Sequence, residues 1–173
     1  WALEKDAAKT AALGRDLDAF LARGGGLVFI HFALNASSQA AELAQRIGLA
    51  WQGGVGKFRH GASDWVLSKD HPLAAGFTEF KLPDESYWNM SGDLAASGAR
   101  VLATSVEQNT PQPQMWTRVV GPGRVFVSVP GHYTWTFDDP LYRILIFRGM
   151  MWTVRQPMDR LAPLAVLGAR VED

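Results

Sequence analysis

The run Gly24-Gly25-Gly26-Leu27-Val28-Phe29-Ile30-His31 constrains this chain more than any other stretch. Glycines stop a helix readily, because the residue just past its end adopts a left-handed conformation that costs glycine nothing. Four apolar residues follow, two of them branched at Cβ, and a histidine stands where the run ends. A short, continuous apolar run bounded by Gly reads as a strand buried on both faces, the signature of a parallel sheet. In an open α/β sheet, ligands sit just beyond the carboxyl ends of the strands, and His31 falls there. Phosphate-cradling glycine loops precede a helix, whereas this one precedes a strand, which argues against a phosphate site.

The rest of the chain extends the pattern on both sides. Residues 3–22 read as a helix with Leu13, Leu17, Phe20 and Leu21 on one face. After His31, the capping cluster Asn35-Ala36-Ser37-Ser38 opens a helix over 37–48 that Gly48 closes. The stretch from Trp51 to Ser91 is rich in aromatics and interrupted by Gly and Pro. It reads as a functional loop region over the scaffold, with short strands at Val66-Leu67 and Phe80-Lys81-Leu82. Val101–Thr104 is a short strand. Trp116–Val120 and Arg124–Val129, joined by Gly121-Pro122-Gly123, form a hairpin. Pro130-Gly131-His132 then ends the second strand much as His31 ends the first. Asp138 or Asp139 caps a last helix with Pro140 at its first position. Beyond Pro157 the chain reads as a tail on the body, with Ala165-Val166-Leu167 as an edge strand. The expectation is one α/β domain over residues 1–173, with 155–173 as its tail.

Composition narrows the chemistry. Lys+Arg and Asp+Glu both number 17, and no basic block appears, which argues against a nucleic-acid partner. The absence of cysteine excludes a disulfide framework, a thiolate zinc site and a cysteine nucleophile together. No apolar run approaches the roughly 20 residues needed to span a bilayer. The pattern Gly-x-Ser-x-Gly of a nucleophile elbow is absent as well.

Histidine is what remains. His31 and His132 are expected at the same edge of the sheet, His60 lies in the aromatic region, and His71 sits in the turn-like Asp70-His71-Pro72. Two strand-end histidines joined by a loop histidine and a carboxylate such as Glu85 would suit a divalent metal such as zinc. The same groups could serve as acid and base without metal, since imidazole titrates near neutrality. Asp84 and Glu85 are adjacent and project differently, so at most one is expected to face the pocket.

These residues resemble the trehalose-utilisation (ThuA-like) family. The resemblance rests on Gly24–His31, the Gly53-Gly54 to Phe58-x-His60 segment, His71-Pro72 with Gly76 and Asp84-Glu85-x-Tyr87. It continues through Val101–Thr104, Gly123–Phe126, Gly131-His132, Asp139-Pro140, Arg143 and Arg148-Gly149-x-x-Trp152, in order over about residues 20–153. It implies a flavodoxin-like, class I glutamine-amidotransferase-like three-layer fold with a central parallel sheet. The amidotransferases carry a Cys after the strand corresponding to Leu27–Ile30; this chain carries His31 and Phe32, which excludes thiolate glutaminase chemistry. The resemblance implies a strand and helix ahead of the first helix read here, so the first sheet strand or strands are expected to be missing and an exposed sheet edge to need another segment, a partner chain or a second copy.

The resemblance implies a small-molecule carbohydrate or keto-sugar as substrate. His31, His132 and Glu85 are the expected catalytic groups, and His31, His60 and His132 the expected metal ligands. Trp51, Phe58, Tyr87, Trp88, Tyr133 and Trp135 are expected to stack on the sugar. The alternative is a non-catalytic sugar-binding or assembly module of a larger protein.

Overall fold

The computed structural model describes residues 6–168. Helix α1 (Ala7–Ala22) is capped by Asp6, whose carboxylate accepts from the backbone amides of Ala8 and Lys9, satisfying donors that the first turn leaves free. Residues 3–5 of the expected helix lie outside the described part. The chain continues through β1 (Gly26–Ile30), α2 (Ala40–Ile47), β2 (Leu49–Ala50), β3 (Lys57–Leu67) and β4 (Glu79–Trp88). After β5 (Ser91–Gly92) come β6 (Arg100–Glu107), β7 (Thr110–Val120), β8 (Gly123–Ser128) and α3 (Pro140–Thr153). The expected helix over 37–48 begins as a 3-10 turn at Ser37–Gln39 and becomes α-helical only at Ala40.

Six strands form one sheet in the order β1-β8-β7-β6-β3-β4. The parallel arrangement expected for the whole sheet holds for one pair, β1 with β8. The other four neighbours run antiparallel, so the architecture is a mixed α/β fold. Strand β1 is an edge strand, half-buried at all five positions rather than enclosed. Its alternate residues still serve two cores. Leu27 and Phe29 pack with Leu21 of α1 and Leu43 and Ile47 of α2, while Val28 and Ile30 pack with Leu145 and Ile146 of α3. Helices therefore cover both faces at this end of the sheet.

The largest departure from the sequence expectation is the region 51–91. In place of a loop carrying two short strands there is a long hairpin of β3 and β4, paired from Lys57–Trp88 to Val66–Glu79. Pro83 lies within β4, where it is tolerated because β4 is the last strand of the sheet. The sheet also curls. The fully buried Gln114 of β7 accepts from the Tyr87 amide at 3.0 Å and donates to the Tyr87 carbonyl at 2.8 Å. It thus takes the place of a neighbouring strand and draws the end of β4 across the sheet. The tail continues from α3 as a 3-10 helix at Met158–Leu164. Ala165–Leu167 is turn, not the expected edge strand, and its carbonyls at 165 and 167 accept from the Arg143 guanidinium.

Candidate functional site

Two geometric facts build the site. The first is that β1 and β8 are parallel neighbours in register, Ile30 opposite Ser128, so the segments that leave their carboxyl ends emerge on the same side of the molecule. His31 comes directly after β1, and His132 comes four residues after β8. The second is the β3–β4 register, which sets Phe58 opposite Tyr87 and His60 opposite Glu85. Directly opposed residues share a face of the sheet, so the hairpin presents all four side chains together. The curl at Gln114 brings that face over the end of β1 and β8.

Glu85, 6% exposed, is the centre of the cluster. Its Oε2 lies 3.4 Å from His31 Nε2 and 3.4 Å from His132 Nδ1. Its Oε1 lies 3.0 Å from His60 Nε2. His31 Nε2 and His132 Nδ1 are themselves 3.0 Å apart. On its far side His31 Nδ1 donates to the Val129 carbonyl at 3.0 Å, and the ring is fixed by that bond. The hydroxyl of Tyr133 and His60 Nδ1 are 2.7 Å apart. Tyr87 closes the inner wall with its hydroxyl 3.4 Å from His31 Nδ1. Burial, and then the adjacent Glu85, push the Tyr87 hydroxyl far above its ordinary range, so it stays protonated.

The backbone bends to make this possible. His31 has φ 51°, a left-handed conformation that is uncommon for a side chain larger than glycine and that clusters at functional sites. Gly131 has φ 134°, and a Cβ there would stand 2.7 Å from Ile30 Cγ2, so only glycine lets the His132 loop pass so close to β1.

Sequence reasoning chose Glu85 over Asp84 for the pocket, and Asp84 has a different task. Fully buried, it accepts from the amides of Gly131 and His132 at 3.1 Å each and from the Glu85 amide at 2.6 Å. It also accepts from the Thr136 hydroxyl. Four donors and no acceptor face it, so this carboxylate holds the His132 loop against β4.

The cavity above the cluster is about 210 Å³, walled by Trp51, Phe58, Tyr87 and Phe32 with His31, Glu85 and His132 at its base. Trp51 is held by backbone bonds with Leu34 and Ala36. Phe32, half exposed, escaped sequence reasoning; its only signal was its position beside His31. Tyr133 and Trp135 stack on each other with ring centres 4.1 Å apart, Tyr133 against His60 and Trp135 donating to the Pro83 carbonyl, and neither lines the cavity. Trp88 is opposite Lys57, on the other face of β4 from Tyr87, and does not line the cavity. His71 is elsewhere. Buried, it bonds Thr117 Oγ1 at 2.8 Å and accepts from the Leu73 amide, so it is structural.

Fold and site together define a mixed α/β domain whose imidazoles and one carboxylate meet beyond the ends of two parallel strands. The family model for ThuA, trehalose utilisation, matches residues 1–153, and the chain belongs to that family. Among solved structures, a protein described as ThuA-like from Parabacteroides merdae is similar at 23% identity and TM-score 0.63, over 80% of this chain and 63% of that one. A second, from Bacteroides uniformis, is similar at 16% identity and TM-score 0.63 with the same coverage of 80% and 63%. The chain thus spans under two thirds of the length of these relatives. A β-galactosidase from Rahnella sp. R3 shares the fold at 13% identity and TM-score 0.55, over 83% of this chain and 21% of the enzyme. No curated protein matches the chain. No helix among the described residues is long and apolar enough to cross a membrane.

Proposed function

We propose that this chain is a ThuA-like domain, on a flavodoxin-like, class I glutamine-amidotransferase-like scaffold, that acts on a carbohydrate or keto-sugar by acid–base or metal-assisted chemistry. The observation that carries this reading is one nearly buried carboxylate, Glu85, touching three imidazoles at the base of an aromatic-walled cavity. Apolar walls with a few convergent polar groups are the ordinary form of a small-molecule site, and about 210 Å³ lies below the roughly 300–1,000 Å³ of drug-sized pockets. The occupant is therefore about the size of one sugar ring. Trp51 and Phe58 offer flat apolar area to a ring face, with the stacked Tyr133 and Trp135 beyond His60 as a second aromatic surface. Where no metal is bound, His132 Nδ1 and Glu85 Oε2, 3.4 Å apart, are the pair placed to pass a proton. Tyr87, kept protonated, is the donor available to a carbonyl oxygen.

The test is deuterium wash-in at the carbon beside the carbonyl of a panel of keto-sugars, followed by NMR, with hydrolysis of the parent glycosides assayed in parallel. General acid–base groups contribute about 10²- to 10⁴-fold, so Glu85→Gln and His132→Ala are expected to lose at least about 100-fold. Unchanged rates in both variants, or no reaction with any sugar, remove the catalytic reading.

A second reading has its own support. The same fold forms about a fifth of the length of a β-galactosidase, which favours a non-catalytic sugar-binding or assembly module of a larger protein. Sugar binding that is lost in Phe58→Ala, without any turnover by the parent chain, selects it.

A further inference from the structure

The hydrogen-bond geometry of the cluster deepens the metal-assisted form of the catalytic reading and rests on it for the location of the site. A backbone carbonyl can only accept, so the His31 Nδ1 contact with Val129 places a proton on Nδ1. In the uncharged ring that tautomer turns the lone pair of Nε2 inward. It faces Glu85 Oε2, which as a carboxylate oxygen also only accepts, and His132 Nδ1. These three atoms form a triangle with sides of 3.0, 3.4 and 3.4 Å. A proton on His132 can be shared with one of the other two at good geometry, not with both. A cation at the centre satisfies all three lone pairs together.

The triangle has the dimensions for one. Nitrogen and oxygen ligands bound at about 2.1 Å stand about 3.0 Å apart at right angles and about 3.4 Å apart at the tetrahedral angle. The supporting groups are also those of a metal site. His31 donates its other ring nitrogen to a carbonyl, which fixes the tautomer and orients the ring. Asp84 clamps the amide of His132, and His60 holds the second oxygen of Glu85. We propose that His31 Nε2, His132 Nδ1 and one oxygen of Glu85 form a three-ligand site for a divalent transition-metal ion of the zinc type, open toward the aromatic cavity.

This changes the expected ligand set. Sequence reasoning named His31, His60 and His132, but the atoms lying within 4.8 Å of one another belong to His31, Glu85 and His132. His60 stands outside, bonded to Glu85 and Tyr133. Two imidazoles and a carboxylate suit zinc and neighbouring first-row ions rather than magnesium or calcium, which take oxygen shells. A bound ion of this class polarises a carbonyl or a water in the open position. His31, His132 and Glu85 would then be occupied as ligands.

The experiment reads metal rather than turnover. The chain is stripped with chelator and titrated with Co²⁺, following its visible d–d spectrum, then with Zn²⁺ as competitor and Mg²⁺ as control. One equivalent of Co²⁺ is expected to bind and to be displaced by Zn²⁺ but not by Mg²⁺. His31→Ala and Glu85→Gln are expected to lose the equivalent. His60→Ala is expected to keep it, weakened about 10- to 100-fold as for other residues that orient a ligand. His132→Ala, on a half-exposed loop, gives a ligand deletion that does not depend on the strained His31 backbone, and circular dichroism verifies that each variant is folded. Absence of a saturable equivalent, or equal binding by His31→Ala, Glu85→Gln and His132→Ala, overturns the site. Because no sugar is present, failure here is separate from failure of the keto-sugar assay.

Discussion

Asp84 is the residue on which the site's geometry most depends without touching the cavity, and its replacement by Asn allows a worked magnitude. Oδ1 accepts from the amides of His132 and Glu85, and Oδ2 from the amide of Gly131 and the hydroxyl of Thr136. Asparagine keeps the volume but turns one oxygen into a donor. Placing the NH₂ at the Oδ2 position harms least, because the Thr136 hydroxyl can rotate and accept from it. The Gly131 amide then loses its acceptor and faces a donor. A hydrogen bond to a charged group contributes about 1.5–3 kcal/mol and a stranded buried donor costs a similar amount, so Asp84→Asn is expected to cost about 2–3 kcal/mol. Asp84→Ala strands three amides and the hydroxyl, and about 4–5 kcal/mol is expected, since each stranded buried donor costs about 1–3 kcal/mol and part of that is relieved by relaxation of the loop. At about 2–4 °C per kcal/mol for a domain of this size, the Asn variant melts roughly 4–12 °C below the parent. Urea denaturation gives both free energies, and the ring-proton resonances of His132 report whether the loop has moved. If Asn costs under about 0.5 kcal/mol, or as much as Ala, the acceptor-only role assigned to Asp84 is refuted.

Three further outcomes rest on particular contacts. Burial, reinforced by the charge of Arg100, lowers the His71 pKa to about 4 from its ordinary 6.5. The unfolded chain therefore binds the extra proton first, and the stability His71 contributes is complete above pH 6.5 and lost as pH falls toward 4. Melting temperature against pH should fall less steeply across that window for His71→Asn than for the parent; superimposable slopes refute the assignment. Gly149 lets α3 lie against β8, since a Cβ there would meet the Phe126 ring at 2.4 Å. Gly149→Ala is expected to destabilise by about 1–3 kcal/mol in denaturant titration, and no change would show that α3 can shift outward freely. Replacing Gln114 by Leu removes both bonds to Tyr87. Amide hydrogen exchange at Tyr87 is expected to accelerate by at least about tenfold, the equivalent of a bond contributing about 1.4 kcal/mol; unchanged protection argues that the curl is held by other contacts.

Much of the scaffold was legible because its signals are local. Helix α1 with its glycine stop, β1, the β7–β8 hairpin around Gly121-Pro122 and the Asp139-Pro140 start of α3 are each dictated by neighbours within a few residues. The hairpin of β3 and β4 was not legible. Lys57–Leu67 carries exposed side chains over most of its length, so it lacks the apolar alternation by which strands are read, and Pro83 disguises an edge strand. Among the site residues, Glu85 and the aromatic walls were singled out by type, while the anchoring role of Asp84 left no trace that one residue could supply.

The sequence by itself determined that one imidazole follows directly on a strand and another lies a few residues beyond a second strand, because helix stops and apolar runs are written within a few consecutive residues. Only the tertiary structure decided that those strands are parallel neighbours, that Glu85 sits opposite His60, and that Gln114 folds the hairpin over both. Register and curl arise from hydrogen bonds between residues far apart in the chain, and each exists only once the whole sheet has closed around them.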